Sequence, residues 1–279
     1  MDPAASEFWA KFLSGILANL DALEIAVGAC CVFMVFEKML PAIQDPGLGP
    51  RLHNIFVFAF ALMGLLALPF FASWLTPYVS ETRLFEYLFS NWNREGVAYL
   101  VAATLVYAAV WDFFQYWVHR AQHHFPTLWK FHRVHHSDNS MNSSTSLRQS
   151  FGSILLGYFF VHIPTVILCG ADLLPVIGSY ILFSGWGYFN HSNIRIELGL
   201  MAKVLSGPQW HRLHHGKSEA YHDCNYAAFF PIYDIVFGTM KLPSRKEWPE
   251  TGIKDDTTPT NPFMQVFFPW RNAPRFDRS

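Results

Sequence analysis

Trp117–His136 reads WVHRAQHHFPTLWKFHRVHH, and far downstream Trp210–His215 answers it with WHRLHH. The first piece opens on H-x-x-x-H (His119, His123) and closes on H-x-x-H-H (His132, His135, His136). The second repeats H-x-x-H-H (His211, His214, His215), and His191 stands alone between them. Residues three and four apart share one face of a helix, so the spacing predicts that each box aims two or three imidazoles at one point. Neutral imidazole is the commonest side-chain metal ligand near neutral pH. The eight boxed histidines are more than one tetrahedral ion can take. The pattern therefore predicts two metals sharing one cluster. A pH-sensing patch or a set of core histidines has no reason to repeat this spacing.

Around the boxes the chain is apolar. Of its 279 residues 52% are hydrophobic and only 15% charged, well below the usual quarter, which points to a membrane. The net charge of −1 gives no basic signature for nucleic acid. The four cysteines include no C-x-x-C pair and imply no disulfide framework. Acids and a single lysine precede the first apolar run, unlike the basic start of a cleaved signal.

Five runs are long enough to cross a bilayer as helices, 12–36, 52–75, 97–117, 151–169 and 173–190. The expected fold is all-α: an integral membrane helical bundle of four or five spans, capped by a cytosolic helical histidine-rich metal domain. No fixed-period repeat and no soluble linker divides the chain. Residues 1–279 thus read as a single integral-membrane catalytic domain, with the metal region at 112–150 and 191–239 and a proline-rich tail at 241–279.

The first two boxes follow the third run, the fourth and fifth runs form a hairpin about a short turn (Gly170–Asp172), and the third box follows the fifth. All boxed histidines and His191 therefore emerge on one side. Every Lys and Arg except Lys11, Arg83 and Arg94 falls on that side too, which the positive-inside rule places in the cytoplasm. Six prolines make a long helix improbable in the tail. Its apolar patch Pro262–Trp270 is expected on the membrane face or as a cap on the histidine domain.

Asp112, Gln115, Tyr116 and His119 follow helical spacing, so Asp112 is expected to accept the second N–H of a ligating histidine. Asp223, Asn225 and Asp234 recur in DCNYAAFFPIYDIVFGTM and are expected to orient box histidines. His124 lies about 100° around a helix from His123, and His222 sits in the loop after the third box. Both are expected to tune the site without holding metal, while His53 and His162 are expected to be structural. The aromatic residues Phe113, Phe114, Tyr158, Phe159, Phe160, Trp186, Tyr188 and Phe189 are candidates to line a route from the bilayer.

With these intervals, and with Asn225-Tyr226 followed by Asp234, Phe237, Gly238 and Thr239, the boxes resemble the fatty acid hydroxylase/sterol desaturase superfamily over about Asp112–Thr239. HRVHHSDNSMNSSTSLRQS (His132–Ser150) and LSGPQWHRLHHG (Leu205–Gly216) are most similar to its alkylglycerol monooxygenase-like branch. The resemblance implies a membrane-bound monooxygenase, hydroxylase or desaturase. It implies two iron ions held by His119, His123, His132, His135, His136, His191, His211, His214 and His215. Dioxygen as co-substrate, a lipid or sterol-like substrate from the bilayer, and an external electron donor, either a protein or a reduced pterin, are implied with them. His124 stands where that branch carries a glutamate, and Ala227 or Ala228 where it carries a small glycine, so the ether-lipid substrate and the pterin stay open. A membrane zinc hydrolase and a haem or electron-transfer protein are the rival classes. No H-E-x-x-H is present for the first, and only His162 lies well inside a run for the second.

Overall fold

Apolar runs punctuated by glycine and proline give a nearly all-helical chain, seen in a computed structural model that describes residues 3–66, 83–170, 173–254 and 256–270. Helix α1 spans Pro3–Met39, α2 Leu48–Leu65, α3 Arg83–Phe89 and α4 Val97–His124. The residue before a proline is pushed out of the helical region. Phe125 is accordingly extended and ends α4, and Pro126 opens α5 (Pro126–His136) in the first turn, where its missing N–H costs nothing. Ser150 caps α6 (Phe151–Gly157), a π turn covers Tyr158–His162, and α7 (Ile163–Cys169) continues it. The π turn sits just ahead of Pro164, a residue that membrane helices accommodate by such local adjustments. Four further helices follow: α8 (Leu173–His191), α9 (Pro208–His214), α10 (Ile232–Val236) and α11 (Pro262–Phe267). Among the described residues there is no strand, only isolated bridges between Pro41 and Ile194 and between Gly216 and Thr251.

Among the described residues four helical stretches are long and apolar enough to cross a membrane: Leu13–Met39, Leu48–Leu65, Val97–His124 and Phe151–Cys169. They coincide with the first four expected spans. The second helix ends at Leu65; residues 67–75 of that expected span lie outside the described residues, as do Ala171 and Asp172 of the expected turn and the tail from 271 on. The fifth expected span forms one helix of 19 residues but is not among the four. Ser179, Ser184 and Asn190 dilute its apolar character. It packs against α4 instead, closely enough that a Cβ at Gly178 would fall 2.7 Å from the Thr104 hydroxyl oxygen. Leu17, Ile25, Phe56, Phe160 and Ile181 are exposed on the outside, the apolar surface that lipid would cover.

Buried polar groups gather at one end of the bundle. The fully buried Glu37 carboxylate, near the end of α1, accepts the backbone N–H groups of Ser143 (2.7 Å) and Asn193 (2.9 Å) and a guanidinium N–H of Arg51 (2.7 Å). Asn54 of α2 and the Thr145 hydroxyl donate to one oxygen of Asp138 (2.9 and 2.7 Å). Arg148 donates to Asn54, Val134 O and Ser137. A buried charge left without partners is strongly destabilising, so these bonds hold α1, α2, the segment after α5 and the end of α8 at one level. That is the level of the histidines. The tail returns to it as well. Lys217 N–H donates to Glu250 O (2.9 Å), Gly252 N–H to His215 O (3.3 Å) and Arg212 Nε to Pro249 O (3.0 Å), which covers the third box. Further on, α11 lays Val266 against Val57 and Ala61 of α2.

Candidate metal centre

The boxes and His191 meet where α4, α5, α8 and α9 converge, and they divide into two groups. His119, His123, His132, His136 and His214 form one, and His135, His191, His211 and His215 the other, with the ligand atoms of each within 4.8 Å of one another. Each H-x-x-H-H box is split between the groups, which corrects the expectation that a box aims at a single point. Along a helix, i and i+4 lie about 40° apart, whereas i+3 is turned about 60° to the other side. His132 and His136 therefore converge on one group while His135 faces the other, and His211, His215 and His214 do the reverse. The two boxes exchange their middle histidines, and the rings of His136 and His215 stack with centroids 4.3 Å apart.

The nitrogen chemistry fits metal ions. The Nδ1–H of His119 donates to Tyr226 O, that of His191 to Gly187 O and that of His214 to Cys224 O, each at 2.7 Å. A carbonyl can only accept, so in these neutral rings Nε2 carries a lone pair. Nε2 of His119 and Nε2 of His214 are buried with no hydrogen-bond partner in the chain. Nε2 of His191 faces the Nε2 atoms of His135 and His211 at 3.0 Å each, and Nε2 of His136 faces those of His123 and His132 at 3.1 Å each. Two nitrogens about 2.1 Å from one ion stand about 3.0 Å apart when they subtend a right angle. An all-imidazole donor set suits iron, zinc, copper or nickel.

The groups that hold these rings lie one step further out. Asp112 does not reach a histidine, contrary to the expectation from its spacing. Its carboxylate accepts the backbone N–H groups of Ala228 (2.8 Å), Phe229 (3.0 Å) and Phe230 (2.6 Å). Asp234 accepts those of Tyr226 (2.7 Å) and Ala227 (2.9 Å) and the Thr239 hydroxyl. Asn225 donates to Trp210 O and Lys241 O and accepts Lys241 N–H, and Asp223 accepts the Tyr226 hydroxyl. Asp223 and Asn225 both take left-handed backbone (φ 57° and 59°), which Asn and Asp tolerate better than other residues. The resulting loop turns the carbonyls of Cys224 and Tyr226 toward His214 and His119. Asp223, Asn225 and Asp234 thus act on the histidines through the loop they brace.

Burial, reinforced by neighbouring imidazoles, holds His132, His135, His136, His211, His214 and His215 well below the ordinary value of 6.5. A histidine whose folded-state pKa lies below its unfolded value contributes stability that is fully present above the unfolded value. That contribution is lost as pH falls toward the folded one. Protons also compete with metal for the same lone pairs. We therefore expect thermal midpoint and bound metal to be level above about pH 7 and to fall together, steeply, below about pH 6.5. Metal retained with an unchanged midpoint at about pH 5 would contradict this.

His124 is exposed against Phe125, and His222 is exposed at the end of a short turn; neither joins a group. His124→Ala is expected to keep its full metal content while changing turnover, measured by metal analysis beside activity. A folded but metal-depleted variant would show that the ligand set is larger than nine. His53 bonds Gln265 at 3.1 Å. His162 accepts the indole N–H of Trp111 on its Nδ1 (3.3 Å). It lines, with five of the nine grouped histidines, a cavity of about 440 Å³ between α4, the α6–α7 segment and α8. Of the expected aromatic route only Tyr158 lines it, together with Trp111 and Phe183, which the sequence did not single out.

Residues 104–239 match the family model described as fatty acid hydroxylase. Alkylglycerol monooxygenase of Homo sapiens is 33% identical over 135 residues, 48% of this chain and 30% of that protein. Ornithine lipid hydroxylase OlsE of Rhizobium tropici is 33% identical over 56% of the chain and 46% of its own length. A Delta(7)-sterol 5(6)-desaturase of Gibberella zeae is 26% identical over 82% of the chain and 68% of its own length. The chain thus spans less than half of the first two relatives. No solved structure matches it. The matched segment carries all eight boxed histidines and His191, and over it the chain is similar to the fatty acid hydroxylase family, with a lipid monooxygenase, a lipid hydroxylase and a sterol desaturase among its relatives.

Proposed function

We propose that the chain is a membrane-bound di-iron oxygenase that hydroxylates, or desaturates, an unactivated C–H bond of a lipid or sterol-like substrate. One observation carries this reading: nine imidazoles converge in two groups, and five of them line a cavity beside helical stretches long and apolar enough to cross a membrane. His119, His123, His132, His136 and His214 would hold one iron, and His135, His191, His211 and His215 the other. Iron bound there would supply the activation of dioxygen that a C–H bond without acid or base character requires. The chain's own part is to fix the rings through backbone carbonyls and to exclude water with Leu65, Val118, Ile154 and Phe183. In hydroxylation one oxygen atom enters the product and the other leaves as water. Electrons must therefore arrive from an electron-donor protein or a reduced pterin. The similarity to alkylglycerol monooxygenases favours an ether lipid as the narrower reading of substrate. The single-sided basic residues favour a cytoplasmic position for the centre.

The test is metal analysis of purified protein combined with labelled dioxygen. About two irons per chain and heavy oxygen in a lipid product are expected; a desaturation would give a new double bond and labelled water. Iron-replete, reduced protein that consumes no dioxygen with any lipid extract would overturn the reading. So would zinc as the sole metal of an active hydrolase.

A further inference from the structure

After the third box the chain leaves the level of the histidines. Asp112 of α4 accepts the backbone N–H groups of Ala228, Phe229 and Phe230, and the Tyr233 hydroxyl of α10 donates to Ala109 O (2.6 Å). A helix rises about 1.5 Å per residue, so Ala109 lies about 15 Å along α4 from His119, toward its apolar side. From there α10 climbs back along α4. Tyr233 packs on Phe113 (ring centroids 5.7 Å apart), and Phe237 packs on Tyr116 (5.3 Å) and Trp117 (4.8 Å). The Thr239 and Tyr116 hydroxyls then bond at 3.0 Å. Segment 228–238 is therefore a dip beside a helix long and apolar enough to cross a membrane.

Two properties of the dip suit it to hydrocarbon. Irregular backbone is tolerated at membrane depth only where protein satisfies its polar groups. The N–H groups of Tyr226 and Ala227 go to Asp234, and the next three go to Asp112. The Ala228 carbonyl receives the Asn190 amide and the Ser206 hydroxyl, and the Phe229 carbonyl receives the Ser206 N–H. The second property is the outer face. Ile232, Ile235 and Val236, at i, i+3 and i+4, are 43% to 65% exposed, while Asp234 is buried. On α4 the exposed Val97, Val101 and Leu105 run on at four-residue spacing into Ala109 and Phe113, the stretch that α10 covers. The outer face of α10 thus extends the apolar surface of α4. At the upper end Trp117 carries Arg120 over its ring (5.6 Å), an aromatic and basic pair of the kind that marks a bilayer interface.

We propose that Ala228–Gly238 is a re-entrant element, with Ile232, Ile235 and Val236 lying against lipid acyl chains. Asp112 then has a physical reason to sit in an apolar run: it supplies the acceptors that water would supply to a soluble loop. This rests on the membrane-bound reading of the chain, through α4.

The test uses the full chain, metal-loaded, in phosphatidylcholine vesicles, with the exposed Cys31 changed to Ser. A bimane fluorophore is attached at Ile235→Cys. Leu105→Cys gives the reference on the exposed face of α4, and Glu219→Cys gives the aqueous reference. Quenching by a nitroxide on the lipid acyl chain is compared with quenching by iodide present on both sides of the bilayer. The ratio of lipid to iodide quenching at Ile235 is expected to match Leu105 within about twofold and to exceed Glu219 by at least about fivefold. Iodide quenching at Ile235 equal to that at Glu219 would overturn the proposal. So would a site closed to both quenchers, which would mean that protein, such as a second copy of the chain, covers the face. Should Ile235→Cys lose metal, Val236→Cys decides by the same criteria. Lipid quenching absent at Ile235 but present at Leu105 sinks this proposal alone; its absence at both sinks the membrane reading of α4 as well.

Discussion

His135→Ala is expected to strip the four-histidine group of its metal and lower activity by more than about a hundredfold, beyond the cost of losing a mere orienting partner. The group has only four donors, and His135 faces His191 at 3.0 Å and packs its ring 4.6 Å from that of His215. His214→Ala removes one of five from the other group, which keeps four donors. Metal analysis should therefore show His135→Ala falling from about two ions per chain to about one, with His214→Ala retaining more. Both should lose turnover, because the exchange of middle histidines ties the geometry of each group to the other. A full metal complement in an inactive His135→Ala protein would show that His135 acts on the reaction and not on the metal.

The reach of the sequence here follows from which atoms carry the information. The nine histidines were legible because ligands are side chains and helical periodicity fixes which of them share a face. The long helices were legible for the same reason, as apolar runs bounded by Gly47, Gly96 or Pro126. The split of each H-x-x-H-H box was not. It depends on α5 and α9 approaching each other, and a single helix cannot say which partner its i+3 residue will face. The acceptors of His119 and His214 are the carbonyls of Tyr226 and Cys224, and any residue supplies a carbonyl. The one local trace of them is Asp223 and Asn225 on either side of Cys224, two residues that accept left-handed backbone. Trp111 and Phe183 escaped notice because cavity lining depends on how each helix is rotated in the bundle, which composition does not record.

Asp112→Ala is expected to cost about 3–5 kcal/mol of stability and to loosen metal in the five-histidine group by about 10–100-fold. The carboxylate is fully buried and is the acceptor for three successive backbone N–H groups, those of Ala228, Phe229 and Phe230. Stranding a buried donor costs about 1–3 kcal/mol, and partial relaxation of the loop keeps the total below three times that. Asp112→Asn retains one oxygen acceptor and should cost about half as much. The loss propagates along the chain. Segment 226–230 hangs from Asp112 and Asp234, and its Tyr226 carbonyl receives the Nδ1–H of His119. With the segment loosened, His119 is free to rotate or change tautomer, while His135 and His191 keep their bonds to Arg148 O and Gly187 O. Thermal midpoint and metal titration should be followed side by side. If Asp112 instead bonded a ligating histidine directly, as its helical spacing suggests, metal would be lost with stability nearly intact. That result would overturn the account of Asp112 as the brace of the loop.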